Sequence, residues 1–100
     1  MKTFTFETTE EMKNILLSKD YDISSVIVKA SLENLDLKEG EEIDIMEFYT
    51  EDSDLIYEVG IAQEDLLETL KVNLTVMEHH EDYEMCQKIV RAIKYLENPN

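Results

Sequence analysis

The sequence predicts an α+β protein: a small antiparallel sheet of about four strands, helices on one of its faces, and a carboxy-terminal antiparallel helical hairpin. Three observations carry that expectation. Runs of alternating polar and apolar residues recur as far as Ile61, and such alternation marks half-buried strands. From Gln63 onward the apolar residues repeat every three or four positions, the period of an amphipathic helix. The apolar share is 43%, and only two glycines and one proline interrupt the 100 residues, so the elements should be regular and the loops short. A chain of this length has room for one core. Residues 1–100 are therefore read as a single domain, with a strand-rich acidic part over 1–62 holding one short helix, and a helical hairpin over 63–97.

The first strand is Thr3-Phe4-Thr5-Phe6, with both phenylalanines on one side. In TTEEMKNILLSK, Thr8 and Glu11 fit a capping box, and Met12, Ile15 and Leu16 follow at helical spacing. Asp20 to Ser25 reads as a loop. Over residues 25–32 the alternation of Val26, Val28, Ala30 and Leu32 predicts a second strand. The parity of apolar positions then changes at Glu33–Asn34, which a bulge or break would explain.

Lys38-Glu39-Gly40-Glu41 is expected to turn, with Gly40 at a positive φ. Ile43–Thr50 and Leu55–Ile61 are the third and fourth strands, joined by Glu51-Asp52-Ser53-Asp54. Symmetric closure of that turn sets Thr50 against Leu55, Phe48 against Tyr57 and Met46 against Val59, which with Ile61 make one apolar face. It also sets Glu47 opposite Glu58, and like charges directly opposite are unfavourable. Either the register shifts or that face is built for a cation.

Glu64 and Asp65 suit the first turn of the next helix, in which Leu67, Leu70, Leu74 and Met77 form a stripe. After a turn at EHHED, Tyr83, Cys86, Ile89, Val90, Ile93 and Leu96 form another, stopped by Asn98-Pro99.

Charge is the strongest functional signal. Twenty-four acids face nine lysines and arginines, a net charge of −15. Between Glu33 and Glu58 there are eleven acids and only Lys38, and from 39 to 58 there are nine acids with no cation at all. Such a surface repels phosphates, which argues against direct binding to nucleic acid or an anionic membrane surface and for a basic protein partner. Glu39, Glu41, Glu42, Asp44, Glu47, Glu51, Asp52, Asp54 and Glu58 are the candidate partner-binding charges, with Tyr49 and Ile56 as aromatic and aliphatic anchors beside them. Their plainer role is a solvated face that keeps the protein in solution. In charge and size the chain resembles the small acidic inhibitors that phages and mobile elements direct against nucleases, with carboxylates standing in for phosphates.

Other chemistries find little support. An EF-hand loop begun at Asp52 has Asp54 at position 3, but Ile56 and Tyr57 occupy positions that need an oxygen ligand and glycine. His79, His80 and Cys86 match no zinc spacing. No phosphate-cradling glycine loop exists, and a Cys86 nucleophile would need His79 folded back as its base. No catalytic residue, metal or cofactor is expected. The lone cysteine excludes an internal disulfide and fits an intracellular, cytoplasmic setting; no secretory leader or membrane span is expected.

The segment LLETLKVNLTVMEHHEDYEMCQKIVRAIKYLE resembles a UVR motif, the helical hairpin of nucleotide-excision-repair proteins and some protease adaptors. Asp82-Tyr83-Glu84 stands where that family has Asp-Phe-Glu, Cys86 at a small-residue position, and Ile89 and Ile93 at apolar ones. Val90 and Arg91 replace the family's Arg-Asp pair. The resemblance implies an adaptor contact with another, often like, helix pair. It supplies an alternative function, in which Leu74, Met77, Tyr83, Val90 and Ile93 form a helix interface for an adaptor or homodimer.

Overall fold

The computed structural model describes residues 2–98. Strand β1 (Lys2–Phe6) is followed by helices α1 (Thr9–Leu17) and α2 (Tyr21–Glu33), then by strands β2 (Glu42–Thr50) and β3 (Leu55–Ala62). A 3-10 turn over Gln63–Asp65 leads into α3 (Leu66–His79), which doubles back into α4 (Tyr83–Glu97). The protein is thus α+β, with four α-helices among the described residues, the last two forming the expected hairpin.

The sheet has three strands in the order β1-β2-β3, fewer than the four expected. It is also mixed. β2 and β3 form the antiparallel hairpin, but β1 runs parallel to β2, because α1 and α2 carry the chain back across the sheet between them.

The missing strand is α2. Asp20 accepts a hydrogen bond from the Ile23 N–H at 2.9 Å and starts a helix where a loop and a strand were expected. The alternation of Val26, Val28, Ala30 and Leu32 was accidental. α2 is wedged between the sheet and α3, so Val26, Ile27 and Ala30 pack against the sheet-side core while Val28 and Leu32 pack against α3 and α4. A helix buried on two sides loses its single apolar stripe, and the period is then hard to read. Its polar residues are matched: the Ser24 hydroxyl donates to Asn73 Oδ1 of α3 at 2.6 Å, and Ser31 to the Ile27 carbonyl. The parity change at Glu33–Asn34 is the end of this helix and not a bulge.

α1 begins as expected, with Thr8 accepting from the Glu11 N–H at 3.0 Å. The turn before β2 also forms, with the Glu41 N–H bonded to the Lys38 carbonyl and Gly40 at φ 86°. The hairpin register is the symmetric one, Thr50 against Leu55, Phe48 against Tyr57 and Met46 against Val59. One irregularity interrupts it: Ile45 is an extra residue between the pairs Asp44–Gly60 and Met46–Val59.

Two groups of buried side chains hold these layers. Phe6, Met12, Ile23, Met46, Phe48, Ile61 and Leu66 fill the space between the sheet and the helices. Val28, Leu70, Met77, Ile89 and Ala92 join α2, α3 and α4. The molecule is flat, 48 × 33 × 17 Å, because helices cover one face of the sheet and leave the other open. Among the described residues, no helix is long and apolar enough to cross a membrane.

Candidate partner-docking face

The bulge at Ile45 decides what the open face displays. Strand residues alternate between faces, so from Met46 onward the even-numbered residues of β2 point into the core. Continued without interruption, that parity would bury Glu42 and Asp44 and expose Ile43. The extra residue resets it: Ile43 pairs with Ile61 on the core side, Ile45 and Met46 are both buried, and Glu42 and Asp44 turn outward. Gly60, opposite Asp44, lets the strands approach there; a Cβ on it would lie 2.7 Å from the Ile43 carbonyl oxygen.

The open face consequently carries Glu42, Asp44 and Glu47 from β2 with Glu58 from β3 and, among the described strand residues, no cation. Glu47 and Glu58 are direct cross-strand partners, so the like-charge pair is real and the register is not shifted. On its other side Glu47 faces Thr3 of β1, whose hydroxyl donates to Glu47 Oε1 at 2.9 Å. The next row is Thr5, Tyr49 and Ile56. Ile56 is 60% exposed, an aliphatic side chain set in a sheet face with nothing over it.

The turn acids have different surroundings. Both Asp52 oxygens accept from the Thr9 N–H, at 3.0 and 3.1 Å, and the Thr9 hydroxyl donates to Oδ1. The Thr9 amide holds the Asp52 carboxyl below the usual carboxylate range. Asp54, at φ 52°, accepts from the Tyr49 hydroxyl at 2.8 Å, which pushes the Tyr49 phenol up. Glu41 accepts from the Lys38 N–H at 2.8 Å, while Glu39 and Glu51 lie exposed in the turns at either end of β2.

The helix-interface residues are divided. Met77 is fully buried, and Leu74 and Ile93 pack inside the hairpin. Tyr83 and Val90, 64% and 37% exposed, lie on the outer side of α4 with Cys86, Arg91 and Lys94, around an open cleft of about 400 Å³. Asp82 caps α4, accepting from the Met85 N–H, and its other oxygen accepts from the Tyr21 hydroxyl at 2.6 Å, which draws its carboxyl down. Burial pushes the Cys86 thiol up, so it stays protonated. Among the described residues, no group of three or more His, Cys, Asp or Glu is placed to hold a metal ion.

The pattern missed in the sequence was the bulge, although Ile43 and Ile45 stand at odd positions and Met46 and Phe48 at even ones. Comparison with protein-family models, with curated proteins and with solved structures found no match.

Proposed function

We propose that this protein is an acidic binding module that docks the open face of its sheet on a cationic protein surface. The observation that carries this reading is the outward set of Glu42, Asp44, Glu47 and Glu58, held on rigid strands beside Tyr49 and Ile56. Keeping Glu47 against Glu58 costs stability, and a cationic side chain laid between them would recover it. Carboxylates two residues apart on a strand sit about 6.6 Å from each other. Such an array suits a groove built for the phosphates of a nucleic acid, so the partner class is a nucleic-acid-binding protein and the effect is inhibition by occupancy, as phage-borne inhibitors achieve. Tyr49 and Ile56 add a contact that salt does not screen.

The test is capture of host proteins on the immobilised chain at about 0.1 and about 0.5 M salt, beside a Glu47→Lys/Glu58→Lys variant. A cationic protein held at low salt and lost both at high salt and with the variant is the expected result. Capture that survives the variant overturns the docking face.

A second reading is favoured by the exposed Tyr83 and Val90 on α4. The hairpin would then serve as a UVR-like adaptor or self-association surface. Binding lost with Val90→Asp and indifferent to the sheet variant would select it.

A further inference from the structure

We propose that the free edge of β3, with the cleft beside it, is a strand-addition site for an extended cationic segment of the partner. This rests on the reading above for the sign of the partner's charge and goes beyond it in the place and mode of binding.

Among the described residues, β3 is the last strand of the sheet and pairs only with β2. Every second residue of such an edge turns its N–H and C=O outward, a template for another strand. Proteins usually blunt long edges with charged side chains, lysine above all, or with proline, yet LIYEVGIA has Glu58 as its one charge and neither lysine nor proline. Leu55, at the start of β3, is 51% exposed although its pairing with Thr50 sets it on the core side.

At the far end of β3, an open cleft of about 410 Å³ lies between Gly60, Ile61 and the first turns of α3, lined there by Asp65, Glu68 and Val72. An edge strand flanked by a helix is the geometry that receives a peptide as an added strand.

The charge around this groove selects the peptide. From Leu55 to Leu70 there are four acids, Glu58, Glu64, Asp65 and Glu68, and no lysine or arginine. The next cation, Lys71, lies 3.6 Å from Glu97 on α4. In an added strand, alternate side chains would point to the open face, where a lysine meets Glu58. Those on the helix side would meet Asp65 and Glu68, with their aliphatic stems along the half-exposed Val72. A second copy of this chain is a poor occupant, since β3 against β3 sets these acids beside their own kind.

The full chain, labelled with nitrogen-15, is titrated by NMR with the octapeptide Lys-Lys-Val-Lys-Lys-Val-Lys-Lys, which sets lysines on both faces of an added strand. The control is the same peptide with every backbone nitrogen methylated, which keeps its charge and removes its donors. We expect amide shifts over 55–62 and 65–72, and at least tenfold weaker binding both for the methylated peptide and for an Asp65→Lys/Glu68→Lys variant. Equal binding of the two peptides, no binding of either, or shifts confined to Glu42, Asp44 and Glu47 overturn the edge site. If a cationic protein is still captured through Glu47 and Glu58, the docking reading stands without it; if that capture also fails, both fall. Edge amides that shift with protein concentration alone would show a second copy there, and overturn the proposal as well.

Discussion

Asp52 in the β2–β3 turn closes on Thr9 at the start of α1, with both carboxylate oxygens about 3 Å from one backbone N–H. The first turn of a helix leaves amides without intrahelical partners, and Thr8 can satisfy only some of them. The acidic hairpin is therefore tied to the helical layer by one of its own acids. Replacement of Asp52 by Asn removes the charge at the helix N-terminus and part of the bonding, and a lower melting temperature is expected at pH 7. The folded Asp52 carboxyl is held below its unfolded value, so its contribution is present above the unfolded pKa and lost as pH falls through the folded one. The difference in melting temperature between wild type and Asp52→Asn should shrink as the solution is taken below about pH 4. A difference that persists at low pH would mean that geometry, and not charge, does the holding.

Gly60 is the second point of constraint. A methyl group there meets the Ile43 carbonyl oxygen at 2.7 Å, and the obstacle is backbone that cannot rotate away. Gly60→Ala is expected to cost about 1–3 kcal/mol in urea unfolding, the range for forced overpacking. Since the same contact lies at the bulge, the variant should also disturb amide signals around Asp44 and Ile45.

The pair Glu47–Glu58 separates stability from binding. Glu58→Lys turns a like-charge cross-strand pair into an opposite one and is expected to stabilise the fold by about 0.2–1 kcal/mol. Partner binding should weaken in the same variant. A melting temperature that rises while capture falls would mark the two acids as kept for recognition; loss of both would show only that the strand had been damaged.

Glu81 closes α3 in a left-handed conformation, φ 57°. The Asp82 N–H reaches the Met77 carbonyl and the Glu81 N–H that of Glu78, the paired bonds of a Schellman ending. Glycine is the usual residue at that position, because without a Cβ it takes a left-handed φ at no steric cost. Glu81→Gly should raise stability by up to about 1 kcal/mol in thermal or urea unfolding. Destabilisation instead would point to a contact of the Glu81 side chain as the reason for its presence.

Much of this architecture was legible in the sequence, where local chemistry and a single burial face agree. Thr8 with Glu11 announced α1, Gly40 the turn before β2, and the four residues 51–54 a symmetric hairpin whose register the structure reproduces. The hairpin of α3 and α4 followed from its stripes. α2 was misread because it packs on two sides at once, and an alternation of valines then looks like a strand.

By itself, the sequence determined the composition of the protein's surface: a net charge of −15, with eleven of the acids and a single lysine between Glu33 and Glu58, which no arrangement of the chain can hide, because unpaired carboxylates do not enter a core. Only the tertiary structure decided where those charges point. The parallel return of β2 beside β1 and the single extra residue at Ile45 depend on contacts between distant segments, and together they turn Glu42 and Asp44 to the same side as Glu47 and Glu58. The same packing drew Asp52 to the start of α1 and, among the described residues, left the outer edge of β3 unpaired. Charge is a property of residues, but a face is made by the strands and helices that leave it uncovered.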